Sequence, residues 1–577
     1  MTMLLAVAAG DHAADELERI ARRQPHNSGV TVVRHGDFVV AYASTNRWVS
    51  AFDDGDVLIV LDGRIHQPRL APDTAARELH TRYRASGDQL AAGLLGDFVL
   101  VVLDRTRNTL VVARDPLGVR PWYRSSKGRL HGGASDIATL ASTGWVDTAI
   151  NEPVVIRRLA AITGERGETV YTGIESLRPG QTWCLQDGRS RTFAHHEWRI
   201  EPDLETTWDD ACERCRELLK VAIRDRLTDA EPATSELSGG LDSSVVVGTL
   251  ALMGRRDLVA ARLVFETPRA DERIYSDAVA EHWGVPVISA PPWIPTSDEI
   301  AHLTRELAQP IVDPHFTMFA TLDHALLEAQ RPLGLTGLGG DDAFAACSNG
   351  SRVVSTFQLH QRTELRQLCT YVVRHPRAGL REVVLPALHH LNPWSSGPAT
   401  PWVSREARDC ADVVDRLRHR PPRYTGVAAI DERIANLTSG YTASILEERA
   451  VVADATGRRK THPFLDPRFI EATYGWNPWW PTYIGHPRSL QVAAYADRLP
   501  RLVAARRTKA DFSEVFWPQL LDDSVLTAIA TGPLHDLGWL DPDGFARLVA
   551  NAKRGTAQSA IPLSRCRSID QWLRSLR

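Results

Sequence analysis

The chain has 577 residues, and its composition is that of an ordinary soluble globular protein. A formal net charge of −4 gives no global signature of nucleic-acid binding, and no window of about 18 residues is apolar enough to predict a membrane span. The length allows about two to four domains, each with its own core. Seven scattered cysteines, an odd number, indicate reduced thiols and hence a cytoplasmic protein.

The first 200 residues are predicted to be rich in β-strands. The initial apolar run MTMLLAVAAG lacks the basic residues of a signal peptide, so we expect it to be the first strand. Further strand-like runs begin at Val30, Phe38 and Val57 and alternate with turns. The runs 95–104 and 109–123 flank a short polar turn, which predicts a hairpin.

This part of the chain resembles the N-terminal glutamine amidotransferase domain of asparagine synthetases. The resemblance depends on RDPLGVRP at 114–121, on Ser135-Asp136, and on GI at 173–174 followed by LRPG at 177–180. It implies that residues 1–200 form an αββα sandwich of the N-terminal nucleophile (Ntn) type.

The chemistry of that domain is predicted to be lost. The family uses a cysteine directly after the initiator methionine to attack glutamine, whereas this chain has Thr2. The family's Asn-Gly-Glu motif falls at Asp62-Gly63-Arg64, and the arginine reverses the charge that would hold the glutamine amine. A hydroxyl nucleophile at Thr2 is the alternative. We therefore predict a degenerate domain without glutaminase activity, kept because it packs on the second half.

Residues 205–577 differ in character, because amphipathic helical stretches such as Trp208–Arg226 dominate them. Strand-like runs at 233–237, 258–266 and 285–289 alternate with helix-like runs. This alternation predicts a doubly wound parallel sheet, in which ligands bind at the carboxyl ends of the strands.

The sequence Ser-Gly-Gly-Leu-Asp-Ser-Ser at 238–244 lies between the first of these strands and a helix-like run. Backbone N–H groups in such a turn favour an anion, and the Gly-Lys-Ser/Thr ending of a Walker A loop is absent. The loop resembles the SGGxDS pyrophosphate loop of the N-type ATP pyrophosphatases, which implies ATP as cofactor. The ATP-binding residues predicted from the resemblance are Ser238, Gly239, Gly240, Asp242, Ser243, Ser244, Val264, Phe265, Gly337 and Lys509.

A second glycine turn with acidic residues, LTGLGGDDAF at 335–344, follows another apolar run. It resembles the TGxG(G/S)DExF motif of asparagine synthetases. The resemblance makes Asp242 and Asp341 the ligands of Mg²⁺, a cation that takes few protein oxygens beside those of phosphates. An aspartate that only caps a helix is the alternative for Asp341.

Glu447 is the candidate catalytic base. It lies 15 residues before His462, the start of an HPFLD segment that is similar to the PFLD segment of the synthetases. Its placement resembles that of the glutamate in the Tyr–Glu pair of β-lactam synthetases, where a carboxylate takes a proton from an attacking amine. Leu338 stands in place of that tyrosine, so we expect Glu447 to act alone or with a partner such as Tyr441. An ordinary surface glutamate is the alternative.

Lys509 is the second candidate catalytic residue. The segments LP at 499–500 and RRTKADF at 506–512 resemble the LP…RxKxxF segment of the family, whose lysine stabilises the charge on the intermediate and on pyrophosphate. Only five of the 67 basic residues are lysines, which favours a specific use of this one. One more solvated cation is the alternative.

Residues 351–439 are predicted to form a helix-rich insertion, with helices over 356–373 and 405–418. Between Arg352 and Arg433 the insertion holds 13 arginines and 8 acidic residues. This positive excess is typical of a cap over a bulky, partly acidic substrate such as a peptide. A solvated helical cover is the alternative.

The resemblance to the asparagine synthetase superfamily covers almost the whole chain apart from the insertion, and lasso-peptide cyclases fit best. It implies that ATP and Mg²⁺ activate a carboxylate as acyl-AMP, and that the N-terminal amine of a precursor peptide attacks an activated Asp or Glu side chain. The expected partners are that peptide, a leader-peptide recognition protein and a leader peptidase. The alternatives are a β-lactam synthetase, an ammonia-dependent asparagine synthetase, or a non-catalytic scaffold.

Overall fold

The computed structural model describes residues 5–23, 29–162, 167–391, 400–413, 423–481, 488–507 and 510–577. Two six-stranded antiparallel sheets come first in the chain, and a five-stranded parallel sheet follows. The strands are β1 (Leu5–Ala9), β2 (Val30–His35), β3 (Phe38–Ala43), β4 (Val49–Asp53), β5 (Val57–Gln67), β6 (Leu95–Asp104), β7 (Thr109–Arg114), β8 (Tyr123–Lys127), β9 (Leu130–Ala134), β10 (Glu175–Ser176), β11 (Gln181–Gln186), β12 (Arg189–Ala194), β13 (Thr234–Glu236), β14 (Val259–Leu263), β15 (Val287–Ala290), β16 (Leu333–Leu335) and β17 (Arg459–Thr461).

The two antiparallel sheets form a sandwich with helices outside. Their strand orders are β10-β8-β9-β1-β3-β2 and β12-β11-β7-β6-β5-β4. Strand β5 shows how the layers arise, because Leu58 and Val60 join the core between the sheets while Ile59 packs with the helix on the outer face. The helices of this part are α1 (Asp11–Arg22), α2 (Ala75–Ser86), α3 (Ile137–Ala141) and α4 (Glu152–Leu159). Because α1 packs on the first sheet and α2 on the second, the predicted αββα sandwich is confirmed.

The parallel sheet has the strand order β15-β14-β13-β16-β17. The strands are covered on both faces, since Ala260 of β14 packs in one core cluster and the adjacent Ala261 packs with Leu322 and Leu326 in another. From β13 the chain builds outward through β14 on one side and later through β16 on the other. The predicted doubly wound sheet is confirmed, and the reversal of strand order places a ligand site at the end of β13.

Helices make up most of the remaining structure. They are α5 (Trp208–Arg226), α6 (Leu241–Leu252), α7 (Arg273–Trp283), α8 (Ser297–Leu307), α9 (Ala320–Glu328), α10 (Gly340–Ala343), α11 (Asn349–Gln358), α12 (Arg362–Arg374), α13 (Pro376–Gly379), α14 (Leu385–Leu391), α15 (Arg405–Cys410), α16 (Ala428–Leu437), α17 (Gly440–Thr456), α18 (Pro467–Gly475), α19 (Ser489–Tyr495), α20 (Arg501–Ala504), α21 (Ser513–Leu520), α22 (Asp523–Ala530), α23 (Pro533–Asp536), α24 (Pro542–Lys553) and α25 (Ala560–Ser575). Within the described ranges, none is both long and apolar enough to cross a membrane.

The insertion departs from the prediction in one respect. The expected helix over 356–373 is two helices, because α11 ends at Gln358 and α12 begins at Arg362. His360 between them has a φ of +51°, which the α-helical conformation does not allow. The expected second helix, over 405–418, is described only to residue 413, and α15 ends at Cys410.

The sandwich and the parallel sheet are joined by buried ion pairs. Asp62, which has no solvent exposure, accepts hydrogen bonds from Arg120 at 2.7 Å and from Arg459 of β17 at 2.5 Å. Arg64 forms an ion pair with Glu231 and stacks over a tryptophan ring. The residues that replace the family's glutamine-binding motif therefore bind the second half of the chain. The predicted domain limits, 1–200 and 205–577, stay a prediction.

Candidate active site

The Ser238–Ser244 loop connects β13 to α6, as the sequence predicts, and its hydroxyl groups fix its shape. The Ser238 hydroxyl accepts a hydrogen bond from the Gly240 N–H at 3.2 Å and lies 3.1 Å from the Ser243 hydroxyl. Gly239 has a φ of +82°, and a Cβ there would lie 2.6 Å from the Tyr275 side chain. Glycine is therefore required for both the backbone conformation and the close packing on α7.

The second glycine turn lies directly against the first. A Cβ on Gly337 would lie 2.5 Å from the Ser243 backbone nitrogen, and one on Gly340 would lie 2.0 Å from a carboxylate oxygen of Asp242. The two turns follow the neighbouring parallel strands β13 and β16, so their closeness results from the sheet. This contact brings the two predicted metal ligands, Asp242 and Asp341, to one place.

A cavity of about 530 Å³ opens beside the two turns. The predicted site residues that line it are Ser238, Gly240, Asp242, Ser243, Phe265, Gly337 and Asp341. Three other predicted residues, Gly239, Ser244 and Val264, do not line it and form hydrogen bonds nearby instead. The Ser244 hydroxyl donates to the Gly240 carbonyl at 2.7 Å, the Val264 N–H donates to the Ala290 carbonyl at 2.9 Å, and the Gly239 carbonyl accepts from Arg506 at 3.4 Å.

Asp242 and Asp341 fit a magnesium site. Each carboxylate forms an ion pair with the same guanidinium group, that of Arg488, so both lie within reach of one positive charge on the wall of the cavity. Gln491 also donates to Asp242, at 2.8 Å. Two protein carboxylates are enough for a Mg²⁺ site beside a polyphosphate, because phosphates and water complete its coordination. Sequence reasoning missed Arg488, since nothing in its local sequence points to two acidic residues so far away.

The positive side of the cavity is built from arginines. Lys509 lies outside the described residues, so its predicted role stays a prediction. Arg506, in the same predicted segment, lines the cavity, forms an ion pair with Glu272 at 2.6 Å, and stacks on Tyr275 at 4.0 Å. Arg262, Arg273, Arg449 and Arg507 line it as well. A cavity with acidic residues at one point and several guanidinium groups around it suits a polyphosphate with its metal.

The structure does not bring Glu447 to this cavity. Its carboxylate accepts hydrogen bonds from Arg114 and Ser176, both at 2.9 Å, and from the Tyr123 hydroxyl at 3.0 Å. All three partners belong to the sandwich, and Glu447 lines a separate cavity of about 30 Å³ there. Leu338, which replaces the family's tyrosine, does line the main cavity. The Tyr441 side chain lies outside the described residues.

We expect the variant Glu447→Gln to change the rate of amide formation by less than about 3-fold and to lower the free energy of unfolding by about 1–3 kcal/mol, because Arg114 is fully buried and would lose its anion. Tyr123→Phe, which removes one donor to the same carboxylate, is the matched variant and should have the smaller effect on stability. A loss of rate above about 100-fold with unchanged stability would instead support the predicted catalytic base.

The fold combines an αββα sandwich with a doubly wound α/β domain whose cavity suits a polyphosphate. The chain belongs to the asparagine synthase family, whose model matches residues 214–574. A second model, described as a glutamine amidotransferase domain, matches residues 64–198.

Individual relatives match only parts of the chain. Asparagine synthetase [glutamine-hydrolyzing] 3 from Bacillus subtilis is 26% identical over 35% of this chain and 32% of its own. Amidase chry2 from Gibberella zeae is 29% identical over 29% of this chain and 25% of its own, so the chain spans less than half the length of these relatives. Among solved structures, a glutamine phosphoribosylpyrophosphate amidotransferase from B. subtilis is 11% identical over 49% of this chain and 65% of its own, with a TM-score of 0.24.

Proposed function

We propose that this protein forms an amide bond at the expense of ATP, through an acyl-adenylate, and releases AMP and pyrophosphate. The observation that supports this most is the convergence of the Ser238 loop, Asp242 and Asp341 on one cavity. The asparagine synthase family supplies the reaction class. As a carbon–nitrogen ligase, the protein would use ATP with Mg²⁺ as its cofactors.

The residues around the cavity would have different roles in binding ATP and its metal ion. The turn at 238–240 and the start of α6 would hold the pyrophosphate part of ATP with backbone N–H groups. Asp242 and Asp341 would hold the magnesium ion, which when bound neutralises phosphate charge. Arg506 is already tied to the loop through the Gly239 carbonyl, so it would face the leaving pyrophosphate. Phe265 is buried and packs on Phe512, with ring centroids 5.2 Å apart, and this pair would bound the apolar side.

The more specific part of the proposal is that the substrate is a precursor peptide, whose N-terminal amine is joined to one of its own Asp or Glu side chains. Asp62 and Arg64 are both engaged in ion pairs with other protein groups, which argues against their binding a glutamine. The amine would then come from the substrate itself. The insertion supports a large substrate, because it presents apolar side chains that are 42–77% exposed: Phe357, Val373, Leu380, Leu385, Leu388 and Leu391.

The test uses synthetic peptides with a free amino terminus and one internal Asp or Glu, incubated with the full-length protein, ATP and Mg²⁺. We expect loss of one water from the peptide by mass spectrometry, together with AMP. The same peptides with an acetylated amino terminus should support ATP–pyrophosphate exchange but no ring closure. Pyrophosphate exchange with free aspartate, together with amide formation from ammonia, would instead favour an asparagine synthetase. Exchange and ring closure with a small β-amino acid would favour a β-lactam synthetase. Absence of exchange with every carboxylate would favour the scaffold.

We further propose a cytoplasmic location, a leader-recognition protein and a leader peptidase as partners. These partners follow from the peptide substrate, because a precursor peptide has to be recognised and cut before its new amino terminus can react. Co-expression of a candidate peptide with and without such proteins would test whether they increase the yield of the ring.

A further inference from the structure

His315 lies on the wall of the main cavity, outside every motif that the sequence predicts to be functional. It comes just before a short helical turn, Phe316–Phe319, and its ring contacts Phe512 and Phe516 edge-on, at 6.0 and 5.3 Å between centroids. Its side chain is 33% exposed. The imidazole is therefore held by aromatic rings on one side and open to the cavity on the other.

Asp313 fixes the orientation of this imidazole. One carboxylate oxygen lies 3.0 Å from Nδ1 of His315 and also accepts a hydrogen bond from the His315 backbone N–H at 3.0 Å. Asp313 is buried; burial raises the pKa of its carboxyl, but His315 and Arg449 outweigh this and lower the pKa to about 2. An anionic acceptor at Nδ1 favours a proton on that nitrogen, so in the neutral imidazole Nε2 carries the lone pair.

Glu448 holds the loop that carries this pair. Its carboxyl group accepts the backbone N–H of Val312 at 2.6 Å and that of Asp313 at 2.9 Å. Glu448 is buried on α17, so the loop is fastened to a helix of the second half. The position of His315 is thus determined by the hydrogen bonds of two buried residues, Asp313 and Glu448.

The other acidic groups of the cavity are engaged. Glu236 forms an ion pair with Lys460 at 2.9 Å, and Glu272 forms one with Arg506 at 2.6 Å. Asp242 and Asp341 both contact Arg488 and are the proposed metal ligands. His315 differs from these acidic groups. Its Nδ1 contacts Asp313, whereas its Nε2 is bonded by no protein group in the described part of the chain.

We propose that His315 is the catalytic base of the amide-forming step and that Asp313 is its positioning residue. This inference rests on the proposed function. As the amine nitrogen bonds to the acyl carbon, Nε2 of His315 takes one N–H proton. The bond from the carbon to the AMP oxygen then breaks, AMP leaves with the electron pair, and the proton passes from His315 to solvent.

The test separates the two half-reactions in the full-length protein. ATP–pyrophosphate exchange with an N-acetylated peptide reports adenylation, and ring closure of the same peptide with a free amino terminus reports the amine attack. For His315→Ala we expect exchange within about 3-fold of the unmodified protein and ring closure slower by about 100- to 10,000-fold. Added imidazole should restore part of the ring closure. His324→Ala, at an exposed histidine of α9, is the matched control and should leave both reactions unchanged.

Asp313→Asn should slow ring closure by a smaller factor than His315→Ala does. In the double variant Asp313→Asn/His315→Ala, added imidazole should restore ring closure no better than it does in His315→Ala alone. Ring closure at the normal rate in His315→Ala, or equal loss of exchange and ring closure without imidazole rescue, would overturn the assignment while leaving the proposed function intact. Absence of exchange in the unmodified protein with every peptide would overturn the proposed function and this inference with it.

Discussion

Replacing Asp242 with asparagine is expected to reduce ATP–pyrophosphate exchange by at least about 100- to 1,000-fold, with no loss of the folded structure. The reason is geometric, because Asp242 and Asp341 both line the cavity and both form ion pairs with the same cation, Arg488. The amide keeps the shape of the side chain but removes the charge that would hold a divalent cation. The rate of exchange and the circular dichroism spectrum, measured side by side, check this expectation.

Asp342→Asn is the control for that experiment. Asp342 is adjacent to a proposed ligand but does not line the cavity, and burial together with the charge of Asp242 raises its pKa to about 6. Burial and the charge of Asp242 both disfavour the ionised form of Asp342, so removing its charge should cost little, and we expect exchange within about 3-fold of the unmodified protein. If both substitutions reduced exchange equally, the loss would reflect general damage to the turn rather than a missing metal ligand.

The second large effect concerns stability. Asp62→Ala is expected to lower the free energy of unfolding by about 3–5 kcal/mol, because the two buried arginines that pair with it, Arg120 and Arg459, then keep one carboxylate, that of Asp454, between them. Urea-induced unfolding monitored by tryptophan fluorescence would show this as a lower midpoint. Glu175→Ala, which removes an exposed ion pair with Arg124, should change the free energy by less than about 1 kcal/mol. Equal midpoints for Asp62→Ala and the unmodified protein would contradict the role of this ion pair.

The same carboxylate predicts a dependence on pH. Burial alone would raise the pKa of Asp62, but Arg120 and Arg459 lower it below its ordinary value. A depressed native pKa means that this contribution to stability is present above about pH 4 and is lost as the pH falls through the native pKa. The Asp62→Ala variant should therefore differ less from the unmodified protein in acid than at neutral pH.

Local patterns were sufficient to predict the parallel sheet and one of its long helices, but not the helix break at His360 in the insertion. Alternating strand and helix runs indicate the parallel sheet, and the predicted helix Trp208–Arg226 has the bounds that the structure shows. The two glycine turns were predictable as neighbours because parallel strands end at the same edge of a sheet. These features depend on residues close together in the chain or on general rules of sheet topology.

The direction in which each side chain of a helix points could not be predicted in the same way. Glu447, Glu448 and Arg449 are consecutive on α17, yet they contact the sandwich, the 312–313 loop and the main cavity, respectively. A step of one residue on a helix changes the direction of a side chain by about 100°. The sequence motif could locate this helix at the site but could not select which of its charged residues faces the substrate.

The salt bridge from Arg488 to both acidic turns has a consequence for how the protein is made. The turns at 238–244 and 336–341 are synthesised well before the residue that neutralises them, since Arg488 lies in the last fifth of the 577-residue chain. Two facing carboxylates without a cation repel each other. A nascent chain therefore carries these two carboxylates without the guanidinium group that pairs with both of them until residue 488 has been synthesised.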